Sequence, residues 1–357
     1  MSVPKIVFKA LLPVLSGLFF PFLLQARDSG LPSVIRVAGQ QRHVQGIAWD
    51  AARSRLYLSF TTRFVVTDSL GVILGSIDRI HGHLGAMTFD PVSRKVYASL
   101  ECKDDVIGTS ISDGLGEKAY TESSFYVAEI DVDAVTGLNV PQEDAIRRIP
   151  IQPAIEDYAA QVEAGGRVWQ HRYACSGIDG VSVAPGFGRD TRRYLYVAYG
   201  IYGDVGREDN DYQVLLRYPL GKWNSKPERF FVKTGNTSWG VQNLAYDAHT
   251  GLMFMAVYKG KKPAWPNYDL FAFSLSQKPV KGYLDGVPYQ KNKVQILAAP
   301  LQNWYFRWGS TGLCPLGDGL WYISENGRDI APDGSKTQYC NATLYRWDGE
   351  TPFVVFR

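Results

Sequence analysis

One phrase, written five times along the chain, restricts the possible folds more than any other feature. His43 to Phe60 reads HVQGIAWDAARSRLYLSF, and His83 to Leu100 reads HLGAMTFDPVSRKVYASL. Looser copies stand at Gly177 to Tyr199, Gly240 to Val257 and Gly309 to Ser324. Each copy has a short apolar run containing a small residue, a polar turn, and a second run with an aromatic residue near its start. Such runs, rich in Val, Tyr, Phe and Leu and divided by Asp, Gly, Arg and Ser, are strand signals joined by a hairpin. A hairpin that cannot bury its own apolar face must stack on its neighbours, so the repeat specifies an array of sheets.

Asp50, Asp90 and Asp247 fall at the same point of the turn, where a carboxylate accepts the N–H groups of the residues that follow; they read as turn stabilisers. Two further strand candidates follow each hairpin: Arg63 to Thr67 with Val72 to Ile77, Phe125 to Asp131 with Ala145 to Ile151, and Gln213 to Tyr218 with Arg229 to Lys233. Leu270 to Leu275 with Val294 to Ala298 completes the fourth unit, and Thr343 to Trp347 with Phe353 to Phe356 the last. Four strands per repeat predict an all-β fold, a β-propeller of five blades with six as the alternative. Val34 to Ala38 is the candidate for closing the ring, in competition with Phe353 to Phe356. A short helix is expected in the connector between blades two and three, Gln152 to Ser176.

At 357 residues the usual length prior suggests more than one domain. The blades share one ring, so 27–357 reads as a single propeller domain. Met1 to Ala26 differs in kind: Lys5 and Lys9 precede the apolar stretch Ala10 to Leu24, and the small Ala26 stands before Arg27 and Asp28. This is the three-part pattern of a cleaved signal peptide, which predicts a secreted or periplasmic protein with no membrane-integral part after cleavage. Loss of Lys5 and Lys9 lowers the formal charge from +3 to +1, and without a basic run no nucleic-acid partner is expected. Four cysteines in an exported chain favour disulfides; the expected pairs are Cys102 with Cys175 and Cys314 with Cys340.

Function in such a scaffold is expected in the rim loops. The long inserts are Glu101 to Ser124, Gly200 to Tyr212, Lys259 to Tyr268 and Glu325 to Asn341, all assigned to one rim. Aligning the five phrases places Gln45, Gly85, Asp179, Gln242 and Thr311 at the entrance of the central channel, with His43 and His83 two positions upstream of the first two. Glu101 and Glu325 align at their strand ends, and with Asp179 they are candidates for general acid and base work or for a hard cation. The inserts add aromatic and cationic candidates, among them Trp239, Trp265 and Arg307.

The phrases GIAWD…RLYLSF and NLAYD…LMFMAV resemble the blade unit of NHL and gluconolactonase-like propellers. The lactonase branch of that group implies a divalent cation such as calcium at the channel mouth, held by Glu, Asn and Asp. By that resemblance Asp179 and Asn243 would be the ligands here, while Gln45 stands where a glutamate is expected. Two functions follow as expectations. One is an exported propeller that binds an extracellular small molecule, glycan or protein at its rim and channel mouth, through His43, Gln45, His83, Asp179, Gln242, Asn243, Trp239 and Arg307. The other is a metal- or carboxylate-dependent extracellular hydrolase or lyase, with Asp179, Glu101 and Glu325 converging.

Overall fold

The alternation of small and apolar residues produces five sheets in the computed structural model, which describes residues 29–164, 166–170, 177–200, 212–235, 240–263, 265–284, 293–297 and 302–357. Blade one is Gly46–Asp50, Arg55–Ser59, Phe64–Thr67 and Ile73–Ile77; blade two is His83–Asp90, Lys95–Cys102, Ser124–Asp131 and Ile146–Pro150. Blade three begins Gly177–Pro185, Arg193–Gly200, Tyr212–Pro219, Glu228–Lys233, and blade four is Val241–Asp247, Leu252–Val257, Leu270–Ser274, Gln302–Trp304. Blade five is Leu313–Gly317, Leu320–Ile330 and Lys336–Trp347, completed by Val34–Gln40 from the other end of the chain.

The first strands of successive blades touch one another in a circuit that returns to Gly46–Asp50 after blade five. The propeller therefore has five blades, and the six-bladed alternative is excluded. Asp50, Asp90 and Asp247 stabilise the turns as expected: Asp50 accepts from the N–H groups of Ala52 and Arg53 at 3.1 and 3.3 Å, and Asp247 from those of His249 and Thr250 at 3.2 and 3.0 Å. Apolar side chains of adjacent blades interlock between the sheets. Tyr97 and Val127 of blade two pack with Val181 and Leu195 of blade three, and Phe254 of blade four with Trp321 of blade five.

Both candidates for closure are used. Val34–Gln40 pairs antiparallel with Lys336–Trp347 from Thr343 to Gln338, while Phe353–Val355 pairs with the same strand from Tyr345 to Trp347. They meet end to end at Leu344, whose N–H donates to the Ser33 carbonyl at 2.8 Å while its own carbonyl accepts from Phe356 N at 2.9 Å.

Blade four corrects the sequence reading. Val294 to Ala298 was expected to be its outer strand, but Lys293–Leu297 crosses over and pairs in parallel with Glu228–Lys233 of blade three, backed by Val280–Tyr283. Gln302–Trp304 takes the vacated place, antiparallel to Leu270–Ser274. The segment Glu325 to Asn341, expected as a rim insert, is instead mostly a long hairpin, with register continuous from Glu325↔Asn341 to Ile330↔Lys336. The connector after blade two contains the expected helix, Gln152–Ala159, followed by a small hairpin.

The Cys314–Cys340 disulfide does not form: both are buried free thiols. Cys314 faces Tyr322, Tyr322 faces Leu344, and Cys340 lies four residues from Leu344 on that third strand. Two strand spacings across and four residues along separate their Cα atoms by about 16 Å, well past the roughly 7 Å that a disulfide spans. Burial instead pushes each thiol pKa up to about 12. Cys175, the expected partner of Cys102, lies outside the described residues, as do Met1–Asp28 and Trp239.

The chain divides into two compact units. Pro32–Arg357 is one; of the other, Met1–Leu31, residues Ser29–Leu31 are described, with Leu31 N–H donating to the Ser29 hydroxyl at 3.2 Å. Among the described residues no helix is long and apolar enough to cross a membrane.

Two outcomes are expected. Ile35, fully buried on the closing strand, becomes Ala at a cost of about 2–5 kcal/mol in denaturant unfolding, whereas Val34→Ala, 45% exposed, stays within about 0.5 kcal/mol of wild type; equal costs would show that the ring does not depend on this strand. Alkylation in denaturant without reductant modifies both Cys314 and Cys340, and a peptide linking them would refute the strand separation.

Candidate functional site

Three of the first strands are bulged at the end that opens on the long rim inserts. The register shifts between Leu84 and Met87 in blade two, between Gly177 and Gly180 in blade three, and between Val241 and Asn243 in blade four. A bulge bends its strand and re-aims a side chain. Asp179 sits inside the blade-three bulge, and His83 and Glu101 face each other across the hairpin of blade two.

As a result His83, Glu101 and Asp179 each bring one ligand atom within 4.8 Å of the others. The backbone leaves room for them only where it has no side chain. A Cβ on Gly177 would stand 2.9 Å from both Asp179 Oδ2 and Glu101 Oε1, and one on Gly85 would stand 2.8 Å from Asp179 Oδ1. Glu101 is 2% exposed and anchors the seam between blades by accepting from the Ile178 N–H. Lys103 Nζ lies 3.5 Å from Glu101 Oε2 and 3.3 Å from Asp105 Oδ2. Gln242 hydrogen-bonds Asp179, yet Asp179 Oδ1 and His83 Nδ1 are sealed from solvent without any hydrogen-bond partner. Buried polar atoms are paired in the great majority of cases, so two unpartnered atoms in one three-residue cluster are informative.

Burial sets the charge states. It raises the Asp179 carboxyl well above its ordinary value, with repulsion from Glu101 adding to the shift. Glu101 is also raised by burial, but the Lys103 ammonium and the Ile178 N–H favour its ionised form. A proton shared by the pair therefore rests preferentially on Asp179. His83 is driven down to about 3 by burial, with Lys103 and His43 adding to the shift, so its imidazole is neutral. His43 is also lowered, by burial first and then by Arg328 and Arg42.

These groups lie against a cavity of about 430 Å³. Gln45, Thr61 and Gln242 add polar lining, and His43, whose Nε2 lies 2.9 Å from Gln45 Nε2, stands beside them. Val106, Ile107 and Ser110 of the helix Val106–Leu115 form another part of the wall. Of the expected residues, His43, Gln45, His83, Glu101, Asp179 and Gln242 line one cavity. Asn243 does not: its amide donates to the Gln45 carbonyl at 3.4 Å. Arg307 stacks over Trp308 at 4.4 Å, away from the cavity lining.

Glu325 is also elsewhere, accepting from the Tyr345 hydroxyl at 2.7 Å. The reason is phase. Ser59, Ser99 and Ser324 occupy corresponding positions in LYLS, VYAS and WYIS; Glu101 follows its serine by two residues and Glu325 by one. A single step along a strand turns a side chain to the opposite face. Lys103 was missed, although its place two residues after Glu101 puts it on the same side of a continuing strand. The contribution of Val106 and Ile107 had no periodic signal to reveal it.

No family model matches the chain, and no curated sequence does. Among solved structures it is similar to a luciferin-regenerating enzyme, at 12% identity over 87% of this chain and 95% of that one, with a TM-score of 0.37. A gluconolactonase from Xanthomonas campestris aligns at 10% identity over 87% of this chain and 89% of its own, with a TM-score of 0.33. The Dos1 propeller aligns at 11% identity over 88% of this chain and 73% of its own, with a TM-score of 0.36. The propeller fold and the blade count rest on the strand circuit of this chain alone.

The charge states predict a pH-dependent stability. Because the Asp179 pKa is raised, the fold favours its protonated form; that contribution is intact below the ordinary carboxylate value and is lost as pH rises through the raised one. The neutral His83 acts in the opposite sense: its contribution is intact above 6.5 and is lost as pH falls toward about 3. Asp179→Asn removes only the first effect. Measured by denaturant unfolding with chelator present, the variant is expected to be more stable than wild type by roughly 1–2 kcal/mol at pH 8, with the advantage vanishing near pH 4. A gain independent of pH would contradict a buried, ionisable Asp179.

Proposed function

We propose that this protein is a hydrolase or lyase acting on a small molecule at the mouth of its channel, with a divalent cation held by His83, Glu101 and Asp179. The observation that carries the proposal is the convergence of these three side chains on one point with two of their donor atoms sealed and unpaired. A recognition site without chemistry would be expected to present aromatic surface, yet among the described residues Tyr258 is the one Tyr, Trp or Phe on the cavity wall.

The donor set fits a cation on its own chemistry. His83 is already neutral, as ligation requires, and its Nδ1 has no competing bond. One imidazole with two carboxylates suits zinc, manganese or iron, whereas calcium prefers six to eight oxygen ligands. The calcium expectation is therefore replaced by a transition metal. When bound, such an ion polarises a carbonyl or lowers the pKa of water. The chain supplies the rest: Ile178 N–H and Lys103 fix the rotamer of Glu101, Gln242 orients Asp179, and Gln45 and Thr61 offer hydrogen bonds to a polar substrate group. The two acids must shed the proton they share when a cation binds, so affinity should rise with pH. Following the leader pattern of Met1–Ala26, the reaction belongs outside the cytoplasm on this proposal.

The test is a thermal-shift titration of the chelator-treated protein with zinc, manganese and calcium. Zinc or manganese at a hundredfold excess over its Kd is expected to stabilise the wild type by about 2.7 kcal/mol, calcium to do so far less, and Asp179→Ala and His83→Ala to respond to none. An unchanged melting temperature with all three ions in the wild type would sink the metal site.

A further inference from the structure

The cavity at the channel mouth has two unlike walls. Its floor carries His83, Glu101 and Asp179 among polar neighbours; its outer wall is the first turn of the helix Val106–Leu115. There Val106 and Ile107 stand side by side, 86% and 40% exposed. The same helix buries Ile111 and Leu115, 1% and 6% exposed, against the protein, so its inner face is already provided with apolar contacts.

The helix cannot roll to bury the other pair. Asp105 caps its first turn by accepting from Gly108 N at 2.8 Å, and Gly108 is pressed so closely on the Lys103 carbonyl that no Cβ would fit. Arg42 Nη2 donates to the Ser110 carbonyl at 2.9 Å, and Arg79 donates to that of Leu115. Two adjacent branched hydrocarbon side chains are thus held in water at the edge of a cavity whose volume, about 430 Å³, is that of a small-molecule site. What distinguishes this pair from other exposed apolar side chains is its place on the wall of a cavity with a polar floor, where a bound molecule would cover it.

We propose that the molecule taken up here is amphipathic, a compact polar head turned to His83, Glu101 and Asp179 with a hydrocarbon group lying on Val106 and Ile107. This rests on the reading of the floor as the reactive end and adds the substrate class to it. A sugar, polar along every edge, would leave the Val106–Ile107 wall without a partner and set its own hydroxyls against hydrocarbon.

Neutral linear amides, propanamide to octanamide, titrated calorimetrically into the purified protein, test the class without requiring turnover. Kd is expected to fall by about twofold for each added methylene, as for a chain half covered by the wall, until the chain outruns it. In the double variant V106S/I107S the series flattens, and in Ile107→Ala its slope is reduced; both side chains are solvent-exposed, and an unchanged melting temperature verifies the fold. A wild-type series without slope, a slope that survives V106S/I107S, or no binding by any member would overturn the proposal. Failure of the metal site is read separately, in the thermal shift with zinc and manganese.

Discussion

The pairing of Val34–Gln40 with Lys336–Trp347 fixes the circumference on which everything else depends. A blade alone is a twisted sheet with two apolar faces, and only a neighbour on each side removes both from water. An open ring would leave two faces bare and its terminal edges ready to pair with another chain. Closure by a strand from the far end of the sequence removes that freedom. It also holds the first strands in their circuit, and His83 and Glu101 on blade two can meet Asp179 on blade three only while that circuit has a set diameter.

The seam between blades two and three carries both structure and chemistry. Glu101 accepts from Ile178 N–H and so joins the blades at the point where it also faces Asp179. Burying two carboxylates together is unfavourable, and Lys103 offsets only part of the repulsion. The surrounding apolar seam, with Tyr97, Val127, Val181 and Leu195, provides the excess of favourable contacts that keeps them there. A stable packing interface thus sustains an unstable polar one at its end.

The architecture was legible because each copy of the phrase states the same local physics: alternation, an aspartate at the turn, an aromatic in the second run. Most of the cavity floor was legible from the alignment of those copies. What failed did so for identifiable reasons. Glu325 was placed by its nearness to a strand end, while a one-residue phase difference decides the face. Lys293–Leu297 (KVQIL) has a stronger strand signal than Gln302–Trp304 (QNW), but propensity says nothing about which sheet edge a strand will join. The helix Val106–Leu115, VIGTSISDGL, contains two glycines and several β-branched residues and owes its existence to its cap and its tertiary contacts.

The crossing of Lys293–Leu297 from blade four to the edge of blade three alters what a blade is in this molecule. Repeats in an array are commonly interchangeable, each gained or lost in one piece along a lineage. Here the strands Val280–Tyr283 and Lys293–Leu297 belong by sequence to one repeat and by hydrogen bonding to the preceding one. Excising the fourth repeat would strip its neighbour of two strands, so blades three and four depend on each other for complete sheets.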